Sequence, residues 1–158
     1  MKKIRTPCIG ICSTTSVGDP ICRGCKRYAF EVIDWNSYTD EQKLAVLSRV
    51  ERLNTQIIEN KLLIHSVEEL RAGLKLWKVP FDETLSEYCW LHNLLKRCHQ
   101  KLDNLDKYGV RVTSEYRHLS LQAIFELIEK EILLLCEAHH DRYFDGVDRV
   151  DSNTSEIR

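Results

Sequence analysis

The sequence of 158 residues has little glycine and proline, six and three residues, and almost no net charge, −1 at pH 7. With 43% hydrophobic residues, the composition excludes a collagen-like repeat and wholesale disorder and is typical of a globular protein. Long apolar runs are absent too, because the most apolar stretch, from Ile132 to Cys136, is far shorter than the roughly 20 residues that cross a bilayer. No apolar segment follows the basic N-terminus, so we expect no signal peptide, no membrane partner and a cytoplasmic location.

Cysteine, in contrast, is plentiful and clustered. Seven is an odd number, so the cysteines cannot all pair internally, and without an export signal we expect the thiols to be reduced. Four of them fall within eighteen residues, namely Cys8, Cys12, Cys22 and Cys25. Because clustered cytosolic cysteines more often bind a metal than form disulfides, these four are the candidate metal ligands.

Charge is distributed as unevenly as cysteine. Residues 1–28 contain six basic side chains and one acidic one, a net charge of +5, which leaves −6 for the remainder. Such asymmetry favours an anionic partner, and Arg23, Lys26 and Arg27 are the candidate contacts for phosphate or for another partner. In the alternative interpretation the same side chains only offset the negative charge of four metal-bound thiolates.

Beyond Cys25 the sequence predicts helices. Thr39 with Gln42, and Ser66 with Glu69, fit capping boxes that open two helices, the second of which runs to about residue 76. Apolar residues at helical spacing follow each box. The other predicted elements are a short helical stretch over 27–35, a helix over about 83–102, an extended piece over 108–113 and a long helix over about 120–144.

We therefore expect a mainly α protein in three parts. Residues 1–38 form a small, loop-rich, four-cysteine metal-binding head, residues 39–144 form a helical, bundle-like body, and residues 145–158 form a disordered tail. The longest helix is apolar around much of its circumference near its middle, which predicts that this part lies centrally in the bundle.

The spacing of the four clustered cysteines is typical of a metal site. Three residues separate the first pair, two separate the second, and nine lie between the pairs, so each pair would enclose one side of a tetrahedral ion. Gly10 lies inside the first pair and Gly24 inside the second, where glycine lets the backbone turn and aim N–H groups at the sulfurs. Zinc is the usual ion of a closed four-thiolate site, but four cysteines also hold iron–sulfur clusters. The identity of this single metal centre stays open between the two.

These motifs resemble those of a known family. The bacterial domain of unknown function 1289 has three motifs in order, P-C-x-G-x-C, C-x-G-C-x-R and E-I-x-x-W. This sequence resembles them in its runs Thr6 to Cys12, Cys22 to Arg27 and Glu31 to Trp35, with Val32 in place of the isoleucine. The resemblance covers about residues 5–50, and the body resembles the longer proteobacterial members. The family is commonly labelled a predicted iron–sulfur protein. The resemblance implies that the four cysteines act together, and it implies no activity.

Two further residues belong to that pattern. We expect Trp35 to be a lid packed over the cysteine site or the first helix. We expect Glu31 to pair with a basic residue of the head, such as Arg27 one helical turn away.

The remaining thiols and imidazoles give a weaker signal. They are Cys89, Cys98 and Cys136, with His92, His139 and His140 nearby. If the faces of Cys89-x2-His92 and Cys136-x2-His139-His140 met, they would form a second metal site. We favour the alternative, in which the cysteines are small buried hydrophobes and His139 and His140 lie near a helix C-terminus.

No phosphate loop, nucleophile elbow or zinc-protease motif is present. We therefore expect a non-enzymatic accessory or regulatory module with a zinc or iron–sulfur site and a protein partner. One alternative is an iron–sulfur protein that transfers electrons or senses redox state. The other is a nucleic-acid-binding factor that uses the basic head.

Overall fold

A computed structural model describes residues 4, 6–8, 10 and 12–154, with side chains as far as Phe144. Within these residues the fold is mainly α, as the sequence predicted. The helices are α1 (Ser13–Val17), α2 (Ala29–Asp34), α3 (Asp40–Lys61), α4 (Val67–Leu76), α5 (Glu87–Cys98) and α6 (Leu121–Thr154), and the strands are β1 (Leu62–Ile64) and β2 (Val110–Val112). None of the described helices is long and apolar enough to cross a membrane.

Both predicted capping boxes mark a helix start. The Gln42 backbone N–H donates to Thr39 Oγ1 at 3.2 Å, and the Thr39 N–H donates to Gln42 Oε1 at 2.9 Å, at the beginning of α3. At the start of α4, the Glu69 N–H donates to Ser66 Oγ at 3.3 Å. These bonds satisfy amides that have no partner within the helix, so the two N-termini can be located from local sequence alone.

The helix predicted over 83–102 is shorter in the structure, since α5 is Glu87–Cys98. Its start is delayed because the Asp82 carboxylate accepts bonds from the Thr84 N–H at 2.9 Å and the Thr84 hydroxyl at 2.6 Å. An aspartate that bonds to the backbone two residues ahead favours a turn over a helix.

Strand β1 was not predicted. It pairs antiparallel with β2, which lies within the predicted extended piece, and Leu63 is opposite Arg111. The pairing is extended by a bond from the Thr113 N–H to the Lys61 carbonyl at 2.9 Å. The three residues of β1 carry no periodic signal of their own, and their conformation depends on a partner about fifty residues away in sequence.

Helix α6 is longer than predicted. Its backbone continues for ten residues beyond Phe144, through part of the predicted disordered tail, and residues 155–158 lie outside the described residues. His139 and His140 are therefore in the interior of the helix, so their assignment to a helix C-terminus is wrong. Leu134 is half exposed, so the middle of α6 is not enclosed as predicted. The buried face is narrower than the composition suggested.

The chain divides into two compact units, and each boundary falls within a long helix. The first unit is Met1–Leu47 with Leu133–Arg158, and the second unit is Ser48–Ile132. The first unit contains the four clustered cysteines and includes more of the chain than the predicted head. Its buried residues include Ile21, Cys22, Cys25, Tyr28, Trp35, Val46 and Cys136, and those of the second include Leu53, Ile58, Leu62, Leu70, Leu74, Leu91, Leu94, Leu95, Val110, Ile124, Ile128 and Ile132.

Candidate metal centre

A tight hairpin holds Cys22 and Cys25. Its arms meet at an antiparallel bridge between Ile21 and Tyr28. The Cys22 N–H donates to the Arg27 carbonyl at 2.9 Å, and the Lys26 N–H donates to the Cys22 carbonyl at 2.8 Å. The turn closes at Lys26, whose φ of 65° is in the left-handed region. This geometry brings the two thiols within hydrogen-bond distance of each other.

Backbone N–H groups surround the sulfur of Cys22. Burial by itself would raise the pKa of this thiol, but the N–H groups of Cys25, Ser13 and Gly24 donate to the sulfur, as does the Cys25 thiol. Together these bonds lower the pKa of Cys22 from 9.0 to about 6. Donors stabilise the charged form of an acid, so the hairpin is arranged for a thiolate rather than a thiol. Gly24 contributes one of these donors, in the position where the sequence placed a glycine for that purpose.

Cys25 has a different environment, in which burial and Arg27 act on the thiol in opposite directions. Burial raises the pKa of the Cys25 thiol, while the hydrogen bond and the positive charge of Arg27 act in the opposite direction. Arg27 Nε donates to Cys25 Sγ at 3.3 Å. The Arg27 guanidinium also lies over the Trp35 ring, 4.8 Å from its centroid. Trp35 is itself buried, and through this contact it covers Arg27, the residue that donates to Cys25.

Cys12 is linked to the hairpin through its neighbour. It is the N-cap of α1, and the next residue, Ser13, donates its backbone N–H to Cys22 Sγ. The Arg23 N–H donates in turn to Ser13 Oγ at 2.8 Å. The segment that begins at Cys12 is therefore fastened to the second cysteine pair by two bonds.

Cys8 is exposed, and the Gly10 N–H donates to its sulfur at 3.4 Å. Gly10 has a φ of 93°, a backbone conformation that glycine adopts without strain. Among the residues that the structure describes, no group of three or more Cys, His, Asp or Glu side chains is placed to hold a metal ion. The structure thus brings Cys22 and Cys25 together and holds Cys12 beside them by its backbone, but it does not bring all four sulfurs together.

The three basic residues of the head differ in exposure. Arg23 is on the surface and pairs with Asp19 at 3.2 Å. Lys26 and Arg27 are each only 3% exposed, and the Lys26 ammonium donates to the Arg23 carbonyl. Of the predicted contacts for phosphate or a partner, only Arg23 therefore presents its side chain to solvent. Of the two buried side chains, Arg27 places its positive charge beside the sulfur of Cys25.

Glu31 has a structural role that the sequence analysis did not find. Its buried carboxylate accepts the Tyr28 backbone N–H at 2.8 Å, at the start of α2. This is the capping arrangement of a glutamate at the third helical position. The signal was available, because Glu31 lies three residues after Tyr28, the N-cap of α2, but the N-cap is not a serine or threonine and so did not indicate a capping box.

The other cysteines and histidines do not assemble a second metal site within the described residues. Cys98 and Cys136 are buried, in agreement with a packing role. Cys89 is half-buried, and its sulfur accepts the Ser86 hydroxyl at 3.6 Å. His92 Nε2 lies 2.6 Å from Glu129 Oε1, and the His140 ring packs edge-on against Tyr28 with centroids 4.9 Å apart.

Comparison with known protein families gives a match to the N-terminal part of the chain. The family model described as "Protein of unknown function (DUF1289)" matches residues 6–54, a segment that includes all four clustered cysteines, Glu31 and Trp35. No curated protein and no solved structure matches the chain. The segment 6–54 therefore belongs to the DUF1289 family of proteins of unknown function.

Proposed function

We propose that Cys8, Cys12, Cys22 and Cys25 bind one metal centre, either zinc or an iron–sulfur cluster. The observation that carries the proposal is the set of three backbone N–H groups that donate to Cys22 Sγ. A neutral thiol is a weak acceptor, whereas a thiolate is the form that ligates metals. N–H donors to the sulfur are also the outer contacts that orient and tune such a ligand.

The donor set suits such a centre. Cys22 and Cys25 face each other, and Cys12 precedes the residue that is bonded to Cys22. Cys12 lies four positions after Cys8 in the chain, a reach of at most about 14 Å, so Cys8 is within range of the other ligands. Zinc would supply a rigid cross-link for this segment, and a cluster would add one-electron redox chemistry.

The charges also suit a four-thiolate site. Four thiolates with one divalent ion have a net charge of −2, which is costly to bury without compensation. Lys26 and Arg27 are buried within the same hairpin and supply two positive charges. This is the interpretation in which the basic head offsets its own metal centre, and the burial of these two side chains disfavours nucleic-acid contact through them.

We further propose that the protein is a non-enzymatic accessory or regulatory module that acts on a protein partner. The first unit offers an exposed aromatic group for this purpose. Phe30 stacks on Tyr143 with centroids 6.0 Å apart, and Phe144 lies edge-on to Phe30 at 6.1 Å. Tyr143 and Phe144 are 54% and 39% exposed, and aromatic residues are enriched at protein interfaces.

The test is anaerobic purification of the full chain, followed by metal analysis and an absorption spectrum. One equivalent of zinc in a colourless protein would support a structural site, and iron with sulfide and visible absorbance would support a cluster. The variants Cys22→Ser and Cys25→Ser are expected to lose the metal, while Cys89→Ser, the matched control, is expected to keep it. Purified protein that holds no metal and gains none from added zinc, cobalt or iron and sulfide would reject the proposal.

A further inference from the structure

We propose that Arg27 is a positioning residue of this metal centre, clamped between the Trp35 ring and the sulfur of Cys25, and that its hydrogen bond sets the metal affinity and the electron density of the Cys25 thiolate. The inference rests on the proposed function, because it assigns a role toward the metal to a residue that is not a ligand.

The geometry fixes Arg27 at both ends. Its carbonyl accepts the Cys22 N–H at 2.9 Å, which holds the backbone within the hairpin. Its Nε donates to Cys25 Sγ at 3.3 Å, and its guanidinium lies 4.8 Å from the centroid of the Trp35 ring. Arg27 and Trp35 are both buried. A side chain held in this way has one orientation available, and that orientation directs a charged donor at a candidate ligand.

The chemistry requires arginine at this position. A buried cation needs an anionic partner, and a thiolate supplies one where a neutral thiol does not. The planar guanidinium can stack on an indole with its face while it donates from its edge. Lysine has a compact ammonium without a stacking plane, so it would restore the charge but not the bond together with the stack.

A neighbouring cation provides a control. Lys43 Nζ lies 5.9 Å from the centroid of the same Trp35 ring. Lys43 therefore shares the aromatic contact, but among the described residues it makes no bond to a cysteine sulfur. Arg23 provides a second control, since it lies between the two cysteines in sequence yet is exposed and pairs with Asp19. Substitution of these two residues therefore distinguishes a general effect of positive charge from the effect of the hydrogen bond that Arg27 donates to Cys25.

The experiment is anaerobic titration of the metal-free full-length protein with Co²⁺, followed by competition with Zn²⁺. We expect Arg27→Met to weaken Co²⁺ and Zn²⁺ binding by about 10-fold to 100-fold, the usual effect of losing an outer contact to a metal ligand. The thiolate-to-cobalt charge-transfer band should move to lower energy, because a thiolate without its donor holds its electrons less tightly. Arg27→Lys should recover part of the affinity but not the band position. Lys43→Met and Arg23→Met should match the wild type in both measurements.

Each outcome decides a separate question. A wild-type protein without a thiolate–cobalt band would reject this inference, and if iron with sulfide also gave no absorbance the metal centre itself would be rejected. A wild type that binds Co²⁺ while Arg27→Met shows the same affinity and band would reject only the role of Arg27. If Arg27→Met does not fold, as judged by circular dichroism, Arg27→Lys decides: a wild-type band and affinity in that variant would also reject the role. A merely structural arginine would change affinity without moving the band.

Discussion

Each of the two units contains a buried cation, and the partners of these two cations differ in one respect. In the second unit, Lys61 is 1% exposed, its ammonium pairs with Glu131, and it lies 5.0 Å from the centroid of the Tyr116 ring. In the first unit, Arg27 is similarly buried and has an aromatic contact of similar length, but its polar partner is the sulfur of Cys25. A carboxylate in one unit thus corresponds to a sulfur in the other.

The difference matters because a carboxylate is a counter-ion, whereas a neutral thiol is not. Lys61 and Glu131 form an ion pair within the chain, so the buried ammonium has its counter-ion without a ligand. Burial raises the pKa of the Cys25 thiol, which favours the neutral form that cannot neutralise Arg27. A metal ion would remove that proton and complete the pair. The buried Lys61 of the second unit therefore has its counter-ion within the chain, whereas the buried Arg27 of the first unit is expected to depend on a ligand.

Metal removal is the largest test of this difference. Stripping the metal with a chelator is expected to lower amide hydrogen-exchange protection in the first unit by about tenfold or more, because binding of a structural metal contributes directly to folding. Protection in α4 and α5 should stay unchanged. Re-addition of the metal should restore the first unit, and Cys89→Ser should behave as the wild type does. Equal loss of protection in both units would contradict the comparison.

Glu131→Gln tests the second unit. It leaves Lys61 buried without its counter-ion, and we expect a loss of about 2 kcal/mol in the free energy of unfolding, measured with urea at neutral pH. This is less than a fully enclosed pair would lose, because Glu131 is one-third exposed.

Two further variants control that experiment. The double variant Lys61→Met/Glu131→Gln removes both charges and should recover most of the loss. Lys107→Met breaks an exposed pair with Asp103 and should leave stability unchanged, because water and salt screen an exposed ion pair. An unchanged stability in Glu131→Gln would show that Lys61 does not need its carboxylate.

A pH titration of the metal-free protein compares the ionisation of Cys22 in the first unit with that of Cys89 in the second unit. The ultraviolet absorbance of thiolate should rise in a step near pH 6 that belongs to Cys22, whereas Cys89, whose pKa is raised by burial, should titrate above 9.0. Because the folded-state pKa of Cys22 is lowered, its contribution to stability is present above pH 9 and is lost as the pH falls toward about 6. Cys22→Ser should lack the early step and Cys89→Ser should retain it. No step below pH 7 in the wild type would count against the N–H donors at Cys22.

The smallest expected effect concerns two lysines with left-handed backbones, one in each unit. Lys78 has a φ of 55° and is exposed, so Lys78→Gly should relieve strain and stabilise by about 0.5–1 kcal/mol. Lys26→Gly relieves similar strain but removes a buried ammonium that donates to the Arg23 carbonyl, so it should give no gain. Lys75→Gly, within α4, is the control and should destabilise by about 1 kcal/mol. Urea unfolding measures all three, and an equal gain in Lys26→Gly would show that its ammonium contributes nothing.

Much of the first unit's local structure could be predicted from sequence. The turn positions of Gly10 and Gly24 follow from the spacing of the cysteines, and the start of α3 follows from Thr39 and Gln42. These features depend on residues within three or four positions of each other, and such contacts leave a readable pattern. The interpretation of Lys26 and Arg27 as surface contacts did not anticipate their burial. Their exposure depends on how the hairpin packs, which charge alone does not indicate.

Local sequence was enough to identify the helical class, the starts of α3 and α4, and the four-cysteine motifs of residues 6–54. Tertiary contacts were needed to show that β1 is a strand, that Lys61 is buried against Glu131, and that Arg27 lies between Trp35 and Cys25. What separates the two sets is distance along the chain. A cap or a turn is stabilised by neighbours in sequence, whereas a strand or a buried charge is stable only once a partner from elsewhere in the chain has come into contact with it.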